Sequence, residues 1–274
     1  MFAREPRLTT RPPAVAGSFY PGAPEELRAT IGALLSEATP SRRKGLLGVV
    51  GPHAGYMYSG PVAANAFAHL ASSGAGFARV LLIGPPHYVP VSGIAAPSAA
   101  LFATPLGEVP VDRAAIAALM EAGLVSIDDR AHAPEHSLEV ELPFLQAVLG
   151  HFSVIPLLVG DAFPEQVAAI IDAVLDERTL LVVSSDLSHY LDYASAQARD
   201  LATAEIIERF DPDSLGPYDA CGFAALNGAL CAGRRKRWRI ERLDLRNSGD
   251  TSGDRARVVG YGAWAFSAAP LTAA

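Results

Sequence analysis

Four short, unbroken apolar runs constrain this chain more than any other feature: Gly45–Val50, Arg79–Gly84, Val154–Val159 and Thr179–Ser184. Aliphatic runs of this length without polar alternation are strands covered on both faces, which belong in the middle of a sheet flanked by helices. Segments of helical period fall before, between and after them. These are Pro24–Ala38, Pro61–Ala71 with Ser59 placed to cap it, Asp112–Ala122 stopped by Gly123, Pro164–Glu177, Tyr193–Phe210 and Phe223–Ala232. The alternation predicts an α/β layer fold rather than separate α and β regions. Two later strands are expected near Arg239–Leu245 and Val258–Phe266. The stretch Gly93–Val111, broken by three prolines, reads as an edge hairpin. Ser137–Leu149 reads as a helix that Pro143 either kinks or restricts to the residues after it.

No shift of composition marks a linker in the 274 residues, so a single domain over residues 1–274, with its core about 14–267, is expected. The net charge is −7, and the one cationic cluster, Arg234 to Arg237 with Arg239, is short enough to be a solvated turn. That balance argues against a nucleic-acid partner. Met1–Pro13 lacks the apolar core of a signal peptide, and no apolar run approaches about 18 residues, so no membrane association and a cytoplasmic location are expected. Two cysteines, Cys221 and Cys231, cannot build a disulfide framework.

Three of the buried runs leave the sheet through similar polar turns. VVGPHAGY carries His53, LLIGPPHYVP carries His87, and LVVSSDLSHY carries Asp186 and His189. Ligands of open α/β sheets bind outside the carboxyl ends of the strands, so these four groups are expected to converge. The Gly-Pro steps before His53 and His87 stiffen the turns, as metal ligands require. Two imidazoles suit Fe, Zn, Cu or Ni and make half of a first coordination shell. The third ligand is open between Asp186, His136 or Glu139 of EHSLEVELP, and Cys221 of DACG. His136 and Glu139, three residues apart, would share one helix face. Cys221 stands ahead of an apolar helix whose N-terminus would lower its thiol pKa. His69, His132 and His151 have no such placement, while Tyr56, Tyr58 and Tyr190 flank the motifs and either pack or orient a ligand.

Taken in order, AGSFY (Ala16–Tyr20), GPHAGYMYSG, IGPPHYVP, TPLGEV, EHSLEVELPFL, IPLLVG, SSDLSHY and DACG carry a family likeness from about Ala16 to Phe266. The chain resembles the Memo-like family, whose prokaryotic members are called AmmeMemoRadiSam system protein B. The resemblance implies a three-layer α/β/α sandwich with a mostly parallel or mixed central sheet, similar to class III extradiol dioxygenases. It further implies that His53, His87 and Cys221 are metal ligands, with His189, Asp186 and His136 lining the same pocket. Tyr88 stands where the family often has a second histidine, and Phe223 where relatives can carry a basic residue. Anion or phosphopeptide binding described for eukaryotic members is therefore not carried over. The resemblance also implies a pathway shared with a radical-SAM protein and an Ammecr-type protein.

Two functions are expected on these grounds. The first is a non-haem iron(II), dioxygenase-like oxidoreductase acting on an aromatic or other chelating small molecule. In it His189 is the general base, Asp186 orients His189 or the substrate, and His136 stabilises charge. The second is a non-catalytic metal-binding or scaffold protein that takes a small-molecule or peptide ligand in the pocket. Fe(II) leads as the metal, with Zn(II), which would suit hydrolysis, or Cu as alternatives.

Overall fold

The computed structural model describes residues 9–40, 45–251 and 253–269. Met1–Leu8, part of the stretch read against a signal peptide, lies outside the described residues. The first half runs β1 (Thr10–Arg11), α1 (Pro24–Glu37), β2 (Leu46–Gly51), α2 (Tyr56–Ser72), β3 (Arg79–Gly84), β4 (Ile94–Ala96), β5 (Leu101–Thr104), β6 (Gly107–Pro110), α3 (Arg113–Glu121), β7 (Ser126–Ile127) and α4 (Asp129–His132). After a 3-10 turn at Glu139–Glu141 come α5 (Leu142–Leu149), β8 (Ser153–Val159), α6 (Pro164–Val174), β9 (Thr179–Ser184), β10 (His189–Leu191) and α7 (Tyr193–Glu208). The chain closes with α8 (Phe223–Lys236), β11 (Arg239–Asn247), α9 (Ser248–Thr251) and β12 (Val258–Ser267).

The main sheet has the order β10-β12-β2-β9-β3-β8-β4-β7, with β11 paired to β12. Its centre, β2-β9-β3-β8, is parallel, while β12 and β4 run antiparallel to their neighbours β2 and β8. The four apolar runs are these central strands, and nearly every residue in them is buried. Helices cover both faces: α1, α2 and α5 pack together as one layer, and α6 against α8 as part of the other. The α/β/α fold class therefore holds, with a mixed sheet.

Some local expectations change and one alternative is decided. Helix α2 starts at Tyr56 rather than Pro61, because the carbonyl of Phe19, from a distant segment, accepts the Tyr56 N–H at 2.7 Å and anchors its first turn. Ser59 is consequently inside the helix, its hydroxyl donating to Ala54 O at 2.8 Å, and does not cap it. The hairpin expected at the sheet edge is divided: β4 joins the main sheet, whereas β5 and β6 pair with β1 in a separate three-stranded sheet. Pro143 confines the helix to Leu142–Leu149, leaving His136 in the irregular chain before it. The basic cluster is the last turn of α8 rather than a free turn. There the cations complement the helix dipole, and Lys236 pairs with Asp172 at 3.0 Å.

Close approach of α6 and α8 depends on Gly228, where an added Cβ would lie 2.2 Å from Val167 Cβ. Gly228→Ala should destabilise the protein by about 1–3 kcal/mol, the usual cost of overpacking. Chemical denaturation would detect it, and an unchanged midpoint would show that the two helices can separate freely.

Candidate metal centre

Strand β9 lies between β2 and β3, so the turns leaving these three strands meet at one edge of the sheet. His53 follows β2, His87 follows β3, and Ser184 to Asp186 end β9 between them. His136 enters from the loop before the 3-10 turn. One ring nitrogen from each of His53, His87 and His136 lies within 4.8 Å of the others, a spacing that one metal ion can bridge. The His53 and His87 ring centroids are 5.1 Å apart, and the His136 ring stacks on His87 at 4.5 Å.

Hydrogen bonds fix which nitrogens are free. His53 Nδ1 meets Ser184 Oγ at 2.7 Å, and His87 Nδ1 meets Glu135 Oε1 at 2.8 Å, leaving each Nε2 for the pocket. Metal-bound histidines are oriented in this way, with the remote nitrogen held by an oxygen. His136 Nδ1 is buried without a hydrogen-bond partner, although Glu135 Oε1 is 3.3 Å away. The donor set therefore fits a transition metal, with three imidazoles converging and one of them carrying an orphaned nitrogen.

The supports are equally specific. Glu135 accepts the main-chain N–H groups of His87, His136 and Ser137, the last two at 2.9 Å. Asp186 Oδ1 accepts the main-chain N–H of His53 at 2.9 Å. The Asp186 main chain in turn holds Cys221: its N–H points to Sγ at 3.3 Å and its carbonyl accepts the Cys221 N–H at 3.1 Å. Cys221 Sγ stands 3.3 Å from His53 Nε2. Gly222 permits this contact, because a Cβ there would lie 2.7 Å from Ser184 O.

Burial sets the charges. It lowers the pKa of His53 well below the ordinary 6.5, reinforced by His87 and His136, and it brings His136 to about 4. Both rings are neutral at neutral pH and offer lone pairs rather than protons. Burial also raises Asp186 to about 7 and Glu141 to about 8. For Glu135 burial pushes upward, but the hydrogen bonds and charge of His87 outweigh it, and the pKa falls to about 2. His189 lies on the rim with its pKa lowered by burial of its ring and by His87.

The structure thus brings His53, His87 and His136 into one cluster, sets Cys221 beside His53, places Asp186 beneath the His53 backbone, and leaves His189 at the rim. Glu139 does not share a face with His136. It turns away to accept the N–H groups of Ala14 and Val15 at 2.7 and 3.0 Å and the Tyr20 hydroxyl at 2.6 Å, and it pairs with Arg11. The thiol of Cys221 is not lowered by the start of α8, because burial pushes it well above its usual pKa. Tyr56 packs, its hydroxyl donating to Val140 O at 2.9 Å, while Tyr58 and Tyr190 are exposed. His132 is a packing residue bonded to Ala95 O at 3.0 Å. Three supports, Glu135, Ser184 and Glu141, are not singled out by sequence reasoning, although each sits in a site motif. Phe19 walls one side, 4.7 Å from the His136 ring, and shares a 420 Å³ groove with Tyr56, Met57 and Pro61.

Comparison with known proteins gives the family. The sequence profile of the family described as Memo-like protein matches residues 11–265. A MEMO1 family protein of Ignicoccus hospitalis is 38% identical, covering 94% of this chain and 99% of its own length. One from Methanopyrus kandleri is 37% identical, covering 93% of this chain and 98% of its own. The crystal structure of an uncharacterized protein from Escherichia coli K12, 14% identical, superposes with a TM-score of 0.50 over 80% of this chain and 99% of its own, a likeness of fold. The chain belongs to the Memo-like family.

The Glu141 carboxyl makes stability depend on pH. Its folded pKa, about 8, lies above the ordinary 4.5, so its contribution is full below the lower value and is lost as pH rises through the upper one. Denaturation of the wild type and Glu141→Gln between about pH 5 and pH 9 should show the wild type losing ground to the variant across that interval. Parallel profiles would mean that the carboxyl is ionised throughout.

Proposed function

We propose that this Memo-like family member is a metal-binding protein that works as a non-haem iron(II) oxidoreductase on an aromatic or otherwise chelating small molecule. The observation that carries the reading is the convergence of three imidazoles, each placed by a strand exit or a carboxylate-held loop. His53 and His87 are the two ligands common to every donor set here. His136 offers a third nitrogen, and Cys221, the third ligand that the family resemblance implies, a sulfur beside His53. Iron(II) bound there would supply the redox chemistry that side chains lack.

The chain's own groups divide the remaining work. His189, neutral and on the rim, takes a proton from a substrate hydroxyl as general base. Asp186 acts through His53, whose backbone it holds, rather than on the substrate. Zinc in the same donors would suit hydrolysis or structure, and copper is also compatible with imidazole and sulfur.

A second reading, a non-catalytic metal-binding or scaffold protein that takes a peptide, is favoured by the exposed rim. Met57, Tyr88 and Tyr190 are 71, 54 and 63% exposed around the mouth. Radical-SAM and Ammecr-type proteins of a shared pathway are the partners proposed under either reading, with a cytoplasmic location. Among the described residues no helix is long and apolar enough to cross a membrane.

Metal analysis after anaerobic purification tests the site. About one iron per chain is expected in the wild type, with almost none in His53→Ala or His87→Ala. Comparing His136→Ala with Cys221→Ala identifies the third ligand. Oxygen uptake with catechols, protocatechuates and related chelators should then be lost in His189→Ala. Turnover with none of them, alongside intact peptide binding in His189→Ala, would favour the scaffold reading.

A further inference from the structure

A neutral imidazole binds a metal through one nitrogen, and the partner of the other nitrogen decides which. For His53 that partner is Ser184 Oγ, 2.7 Å from Nδ1. The same hydroxyl lies 2.7 Å from the carbonyl oxygen of Ser137 and 2.8 Å from Glu141 Oε1. A hydroxyl has one proton and two lone pairs, so three neighbours leave few arrangements.

The Ser137 carbonyl can only accept. If Ser184 donates to it, the two lone pairs of Oγ receive the Nδ1–H of His53 and the acid proton of Glu141, and all three contacts are made. The competing tautomer puts the His53 proton on Nε2, 3.3 Å from Cys221 Sγ. Ser184 must then turn its proton to Nδ1, and the contact with Ser137 is lost. Among these buried groups, the first arrangement is favoured by one hydrogen bond. Glu141 is fully buried, its other oxygen has no hydrogen-bond partner, and among the described residues no cationic side chain pairs with it to hold it ionised. As an anion it would compete with Ser137 for the single Ser184 proton.

We propose that Ser184, backed by Glu141 as a donor, is a positioning residue that holds His53 in the Nδ1–H form and turns its Nε2 lone pair toward the pocket. The purpose of this arrangement rests on the reading of His53 as a metal ligand, but the tautomer can be measured without any metal. Long-range ¹H–¹⁵N NMR of chelator-treated protein labelled at histidine should show His53 protonated on Nδ1 in the wild type and in Glu141→Gln, whose amide N–H replaces the acid proton. In Ser184→Ala the proton should move to Nε2, and Zn(II) affinity should fall roughly 10–100-fold, while Glu141→Gln stays within about threefold of the wild type. A wild-type ring protonated on Nε2 would overturn the proposal, as would a Ser184→Ala protein that keeps both tautomer and affinity. If Ser184→Ala does not fold, the wild-type and Glu141→Gln tautomers decide. A wild type with Nδ1–H that takes up no Zn(II) would remove the metal reading and support the positioning role.

Discussion

The turn that ends β9 holds the site together. Asp186 reaches sideways with its carboxylate to the His53 backbone and grips Cys221 with its own N–H and carbonyl, while Ser184 takes the His53 ring. This is possible because β2 and β9 pair in register, Gly51 opposite Ser184, so the two exits leave the sheet level with one another. A slip of register would separate them and turn every side chain over. The buried aliphatic strands are thus more than a core. They set the level at which the functional groups emerge.

Charge explains why so many ionisable groups can share the pocket. His53 and His136 are kept neutral by burial, and Glu141 is held in its acid form. Glu135 is the acid whose pKa is driven down, and it is also the one surrounded by N–H donors from His87, His136 and Ser137. A carboxylate so solvated by protein dipoles stays ionised at little cost. It therefore offers a standing negative charge to a metal cation while its hydrogen bonds shape the two loops that carry the imidazoles.

The strands, the polar exits and the groups His53, His87 and Asp186 are legible in the sequence because each announces itself locally, as an aliphatic run ending in a stiff polar turn. Glu135, Ser184 and Glu141 are not, since each is marked by a partner distant in sequence: His87 for Glu135, His53 and Ser137 for Ser184, and Ser184 for Glu141. Glu139 shows the opposite error. Spacing three from His136 implies a shared helix face only if the chain is helical, and Pro143 delays the helix until both have passed. The thiol of Cys221 departs from expectation for a related reason: a helix terminus can be seen in the sequence, whereas the burial that overrides it cannot.

The fate of Glu139 also accounts for the site's remaining wall. By gathering Arg11, the Ala14 and Val15 amides and the Tyr20 hydroxyl, it fastens the segment from Thr10 to Tyr20 onto the loop that bears His136. That segment brings Phe19 against the His136 ring, and its carbonyl starts α2 at Tyr56. One buried carboxylate therefore joins the beginning of the chain to both the cluster and the helix behind it. Arg11 and the segment it anchors thus belong to the construction of the site as much as the strand exits do, because without them His136 would face solvent on the side that Phe19 now closes.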